Sequence, residues 1–372
     1  MKKQKILLMA LLVMLFTGCM RSVQLNERAI VQAIGLDKEN GQYTLTLQIF
    51  DPEGEEGDET AGGKILRAQG KTISQAMRKA NLQQGQEIFL GHTKLLILGE
   101  AIAQEGVGTA IDYFGANPQF RPTVDVLLAE TKAEEVLKEP LDSTILPVLS
   151  AKMMLEGYRD SAELVRTQLQ GLTGSLKNPA VGSYLPVAAF SGEEKNPGIG
   201  IVGAAVLRDG KKVGGFLPSE TRGILWAGGQ VGKLQMTLEE ENGGAVTLEV
   251  VDASTRVSAQ IRDGNPFYEV FIRIQSNVSE EMAFAQGFSF SQRCERYEEE
   301  QKRLVERETL HALERFFHEL SCDALGYANI LAQQQPAYWK EHQTSYATSL
   351  NKVDFRVTVE ASVNRGGCAL AE

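Results

Sequence analysis

Cysteine and histidine are scarce, with four of each in 372 residues. Three cysteines (Cys294, Cys322 and Cys368) lie beyond the first nineteen residues, and an odd number excludes a complete disulfide framework there. No CxxC pair and no Cys/His cluster has the spacing of a metal site. HExxH and GxSxG are absent. Positive charge is also short, with Lys+Arg at 38 against Asp+Glu at 48, a net charge of −10. Three of those positives are Lys2, Lys3 and Lys5, so a chain cut after them sits nearer −13. That excludes a bulk nucleic-acid binder, whose affinity rests on phosphate neutralisation. It also excludes holding an anionic membrane by charge alone. No apolar run reaches the roughly 20 residues of a membrane-crossing helix. With 43% hydrophobic and 23% charged residues the composition is that of a folded protein. The length exceeds what one core usually fills, so two or three domains are expected.

The first nineteen residues, MKKQKILLMALLVMLFTGC, have the order of an export leader. Three lysines precede an apolar run from Ile6 to Phe16, and the small pair Thr17-Gly18 stands before Cys19. Leu15-Phe16-Thr17-Gly18-Cys19 resembles a bacterial lipobox, with Phe16 where a smaller aliphatic residue is commoner. The implied chemistry is transfer of diacylglycerol to the Cys19 sulfur, cleavage before Cys19, and often acylation of the new amine. Two or more acyl chains, at about 0.8 kcal/mol per buried methylene, give stable anchoring. The plainer alternative is a buried Cys after an ordinary secretory signal.

The rest of the chain reads as α+β and multi-domain (two to three), with mixed or antiparallel sheets, packed helices and a long helix in the C-terminal half. Residues 1–18 are a lipoprotein signal peptide and 19–26 a lipidated tether. Residues 27–190 are expected to form an N-terminal α/β region of one or two domains, and 198–372 an antiparallel sheet plus long helix. Asn40-Gly41 is a hairpin signal before Tyr43 to Phe50, whose alternation predicts a half-buried strand. Residues 51–63 predict a solvated acidic loop, without the ligand spacing of an EF-hand. Thr72 or Ser74 can cap a helix with Ile73, Ala76, Met77 and Ala80 on one face. His92 to Leu98 predicts a strand buried on both faces, and one helix is expected from Glu100 to about Tyr113. Residues 140–175 read as mostly helical. The turn-rich segment 191–200 is the best boundary. Beyond it, strands flank Arg208-Asp209-Gly210 and Asp263-Gly264-Asn265. A helix at about 296–320 lines up Leu310, Leu313, Phe316, Phe317 and Leu320. Residues 353–364 alternate with a period of two, the cleanest strand signal in the chain. Cys294 and Cys322 flank that helix, about 37 Å apart if it is straight, so they predict buried free thiols rather than a disulfide.

No constellation of side chains supports an enzyme, and no cofactor is implied. Gly198-Ile199-Gly200-Ile201-Val202-Gly203 matches G-x-G-x-x-G, but neither a preceding strand nor a following helix is predicted. His311 and His318 share a helix face about 10.5 Å apart along the axis, too far for one metal. His92 precedes a buried strand and predicts a structural histidine; His342 lies in a polar segment. The runs Glu298-Glu299-Glu300 and Glu239-Glu240-Glu241 predict solvated faces. Glu299–Arg303 and Glu308 with Arg315 predict pairs along an exposed helix face, with a docking surface as the alternative.

Several stretches resemble the Ger(x)C family, the lipoprotein C subunit of nutrient germinant receptors in spore-forming bacteria. Leu25 to Val31 with Ala33-Ile34-Gly35-Leu36-Asp37 resembles its opening motif. Phe89-Leu90-Gly91-His92-Thr93-Lys94 and Gly99-Glu100 resemble its F-x-G-H-x-K and G-E elements. GGFLPSETRG, Gly214 to Gly223, resembles a segment of its C-terminal half. Met20-Arg21-Ser22 departs from the aromatic and acidic residues usual after the lipidated cysteine. The resemblance implies three α+β domains on the outer face of the spore's inner membrane, anchored by lipid. It implies a complex with a transporter-like multi-pass B subunit and a membrane-embedded A subunit, without catalysis, in nutrient-triggered germination. Glu220 and Arg222 become candidate interface or buried-pair residues. The rival expectation is a solute-binding lipoprotein of a transporter.

Replacing Cys19 by Ala is expected to leave the chain uncleaved or released from membranes. Gel mobility and membrane fractionation read this, and an unchanged acylated membrane pool refutes it.

Overall fold

Asn40 and Gly41 take φ of 49° and 73°, the left-handed pair a two-residue hairpin turn requires. This turn joins β1 (Arg28–Glu39) to β2 (Gln42–Phe50) in the computed structural model. The structure describes residues 28–50, 63–137, 147–191, 198–239, 244–282 and 288–365. Strands β3 (Gly63–Gly70), β4 (Glu87–Phe89), β5 (Leu95–Leu98), β6 (Asp125–Ala129), β7 (Ser183–Ser191), β8 (Gly198–Arg208) and β9 (Lys211–Phe216) complete a nine-stranded mixed sheet in the order β3-β2-β1-β5-β6-β7-β8-β9. β4 extends it beside β1. β1, β5, β6 and β7 run parallel, and antiparallel hairpins flank them. The turn-rich segment 191–200 therefore joins two neighbouring strands of one sheet.

Helices cover both faces of this sheet. Helix α1 (Ile73–Gln84), capped by the Thr72 hydroxyl, packs on one face with α2 (Glu100–Glu105) and α3 (Gly108–Gly115). The helix expected through Tyr113 is broken instead, because Gly106 takes φ of 130° and Val107 donates to the Gly210 carbonyl (2.9 Å). Helices α4 (Ala133–Leu137) and α5 (Pro147–Glu156) cover the other face. β2 is accordingly buried on both faces rather than half-buried: Thr44, Thr46 and Gln48 lie inside alongside Leu45, Leu47 and Ile49. Two short helices follow, α6 (Tyr158–Ser161) and α7 (Leu169–Leu176).

Helix α8 (Pro218–Ala227) leads into a four-stranded sheet of β10 (Leu234–Glu239), β11 (Ala245–Arg262), β12 (Asn265–Met282) and β13 (Asp354–Arg365). β11 is one strand of 18 residues with two register shifts against β12. β13 alternates as its pattern predicts but pairs parallel to β12, so this sheet is mixed. A parallel neighbour needs a crossover. Here it is α9 (Phe290–Glu314), a π-helical turn (Arg315–Glu319), α10 (Tyr327–Gln334) and α11 (Pro336–His342). α9 begins earlier than expected, where Ser289 and Gln292 cap each other's backbone. Leu313, Phe316 and Phe317 are buried as the spacing predicts, whereas Leu310 and Leu320 are half-buried.

A polar knot sits inside the crossover. Asp323 is 1% exposed and accepts from the amides of Tyr327 (2.9 Å) and Ala328 (2.6 Å) and from the Tyr346 hydroxyl (3.2 Å). Tyr346 and Tyr268 share a hydrogen bond of 3.0 Å, and the Tyr327 hydroxyl donates to the Ala227 carbonyl at the end of α8. Burial pushes the Asp323 carboxyl up from 3.8 to about 6, against the pull of its donors. A raised acid binds its proton more tightly in the folded state, so stability falls as pH rises from about 4 to about 6. Asp323→Asn is expected to remove that falling component, read as the slope of unfolding free energy against pH. A slope equal to wild type refutes the assignment.

Candidate functional site

Most residues of the singled-out motifs serve the architecture. Asp37, on β1, accepts from the first amides of α4, Ala133 (2.8 Å) and Glu134 (2.9 Å). Its Oδ1 stands where a Cβ on Gly99 would lie 2.1 Å away, so only glycine fits beside it. Glu100 ties α2 to β9 through the Lys212 ammonium at 2.9 Å. Gly91 lies under the Phe89 ring, with 2.5 Å from a built Cβ to the ring edge. The Arg28 guanidinium covers the same ring at 4.8 Å. His92, read from the sequence as a structural histidine, is exposed, with its ring centre 5.7 Å from that of Phe89.

GGFLPSETRG is a junction. Gly214 and Gly215 lie against Leu320 and the Ala204 carbonyl, with built Cβ distances of 2.5 and 2.6 Å. Pro218 opens α8, and Glu220 reaches back to accept from the Leu217 amide (2.7 Å). Glu220 also meets His311 (2.9 Å) and lies 3.9 Å from Arg315. Burial opposes its ionisation, yet the Leu217 amide, His311 and Arg315 together hold its carboxyl below the usual range. Thr221 is fully buried and donates to the carbonyls of Glu163 or Pro218 (both 2.7 Å). Arg222 grips Glu308 through two nitrogens, Nε at 2.8 Å, and Trp226 Nε1 donates to the same carboxylate at 3.3 Å. A Cβ on Gly223 would lie 2.2 Å from the Glu308 carbonyl, so α8 and α9 touch backbone to backbone there. Glu220 and Arg222 thus both make their contacts within the chain. Glu308 pairs with Arg222 rather than Arg315, and Glu299 with Lys302 (2.7 Å) rather than Arg303.

The remaining candidates are placed apart. Cys19 and Cys368 lie outside the described residues, as does most of 51–63. Cys294 and Cys322 are buried and free, and burial pushes the Cys322 thiol up to about 12. His318 bonds the Val353 carbonyl (2.8 Å), and His342 stacks on Tyr338 with ring centres 4.0 Å apart. The glycines from 198 to 203 lie in strand β8, where Gly203 (φ 135°) passes close to Phe216. Among the described residues, no group of three His, Cys, Asp or Glu side chains is placed to hold a metal. Among them no helix is long and apolar enough to cross a membrane.

A cleft of about 950 Å³ opens where the two halves meet. Residues 156–184 line one side, and Gln230 with the α10 approach, Ala324 to Asn329, the other. Its wall is fixed by Asp125, fully buried at the start of β6. Asp125 binds Arg166 through Nε (2.7 Å) and Nη2 (3.1 Å) and pairs with Lys152. The sequence reading did not single out these residues. Its available signal was Gly171 and Gly174, two glycines inside a helix with nothing near their missing side chains.

Comparison with known proteins gives the following. Residues 21–189 match the spore germination protein N-terminal domain, and residues 202–367 match the spore germination B3/GerAC-like C-terminal domain. Spore germination protein KC of Bacillus subtilis (strain 168) is 24% identical, covering 97% of this chain and 95% of its own. Spore germination protein GerQC of Bacillus cereus is 22% identical, covering 98% and 99%. The crystal structure of the GerBC protein superposes with a TM-score of 0.60 at 18% identity, covering 89% of this chain and 96% of that one. The α+β architecture described above is thus a fold already seen in a crystal.

Arg222→Ala leaves the Glu308 carboxylate, 14% exposed, without its main partner and is expected to cost about 3 kcal/mol of stability. Arg222→Met with Glu308→Leu is expected to cost less than the single change. Urea unfolding of the three chains measures both, and a single variant as mild as the double refutes the junction's role.

Proposed function

Because the chain belongs to the spore germination family with GerAC-like N- and C-terminal domains, we propose that it is the lipid-anchored, non-enzymatic C subunit of a nutrient germinant receptor. The observation that carries this reading is the match to both family domains, spanning residues 21–189 and 202–367, directly behind a stretch that resembles a lipobox and ends at Cys19. In this reading the diacylglycerol on Cys19 holds the folded part at the outer face of the spore's inner membrane. There it joins the membrane-embedded A and B subunits. An anchored protein is confined near its partners, so modest contact areas suffice for assembly. The acidic net charge of −10 is consistent with attachment by lipid rather than by basic residues. The placement of Glu220, Arg222 and Glu308 in one internal junction supports a scaffold role for that motif, with partner contacts made elsewhere on the surface.

The test is co-purification from spore membranes with Cys19 intact and with Cys19→Ala. The intact chain is expected to bring down a polytopic partner, and the variant to lose most of it. Recovery of no polytopic partner with either chain overturns the receptor reading.

A further inference from the structure

β6 and β7 pair only at Leu128–Val187 and Ala129–Ala188. Towards their N-terminal ends they part, and the segment 166–169 lies between them. The Val126 amide donates to the Thr167 carbonyl (2.9 Å) on one side, and the Thr167 hydroxyl donates to the Tyr184 carbonyl (2.6 Å) on the other. This inserted segment lines the cleft of about 950 Å³ described above with Arg166, Thr167 and Gln168, a volume within the roughly 300–1,000 Å³ range of small-molecule sites. We propose that this cleft binds a small, hydrogen-bonding solute that carries one carboxylate.

Charge and geometry select that class. Asp125 takes up Nε and Nη2 of Arg166, so Nη1 has no part in that pair, and Arg166 lines the cleft. A guanidinium so pinned is pre-organised for an oxyanion. Arg159 adds a second guanidinium to the lining. Lys152, Arg159 and Arg166 stand against Asp125 and Glu156, with Lys152 bridging both carboxylates (3.4 Å to Glu156). The surplus is one positive charge, which suits a monoanion. Tyr158, Gln168, Gln230 and Asn329 supply hydroxyls and amides for the rest of the molecule.

The glycines mark the space. α7 presents Gly171 and Gly174 to the cleft, and a Cβ built on either meets nothing within 4 Å. Glycine inside a helix costs about 0.5–1 kcal/mol relative to alanine. Among the described residues no neighbour requires glycine here, and both positions are open on the cleft side.

The full chain in detergent is titrated with gluconate and with N-acetyl-L-glutamine, two monoanionic carboxylates with hydrogen-bonding chains, and with glucose as the uncharged control. The expected result is a saturable rise in melting temperature with at least one carboxylate and none with glucose. Gly174→Leu is expected to raise the unliganded melting temperature and to weaken binding by about tenfold or more, a loss of about 1.4 kcal/mol. Gly171→Leu, on the same helix, is expected to lose the response too. No rise with either carboxylate, an equal rise with glucose, or an undiminished response in both leucine variants overturns the proposal. These outcomes are independent of whether a polytopic partner is recovered from spore membranes.

Discussion

The contact of Gly223 with the Glu308 carbonyl fixes the crossing of α8 and α9. Backbones that touch leave no room for adjustment, since a built Cβ would stand 2.2 Å from that oxygen. The charged side chains around it close the joint: Arg222 on Glu308 and, two residues earlier on α8, Glu220 on His311. Trp226, fully buried, fills the next turn of α8 and donates to the same carboxylate. Much of the second core, from Ile224 through Phe316 to Tyr268 and Tyr327, packs around this crossing.

Buried carboxylates recur as fasteners, and each is tied in its own way. Asp37 holds the first amides of α4, Asp323 holds those of α10, and Asp125 holds two cations. A buried charge is tolerated when donors satisfy its oxygens. Only Asp125 spends its capacity on side chains that also face open space. The same physics that locks the other two therefore leaves polar groups exposed in the cleft.

Local signals in the sequence were legible wherever a few residues decide the outcome. Asn40-Gly41, Asp209-Gly210 and Asp263-Gly264 all take paired positive φ, as their composition predicts. The alternation over 353–364 and the burial of Leu313, Phe316 and Phe317 also follow from spacing alone. What sequence could not supply was the identity of distant neighbours. The burial of Thr44 and Thr46 depends on α4, which arrives some ninety residues later. The partner of Glu308 lies 86 residues away, although Arg315 on its own helix looked available. The cleft was invisible for the same reason: its wall joins Asp125 to Arg166, and its far side comes from α10. The G-x-G-x-x-G match shows the converse, a local pattern whose surroundings give it a packing role in β8.

The parallel pairing of β13 with β12 has a consequence for the order of assembly. Residues 267–278 acquire their last neighbour only when residues 354–365 have been made and have returned across the whole crossover. Until then the nascent sheet presents the backbone groups of β12 at a raw margin, able to accept any passing extended chain. Closure over so long a loop is slow. An extended segment that pairs along that margin competes with β13 for the same edge.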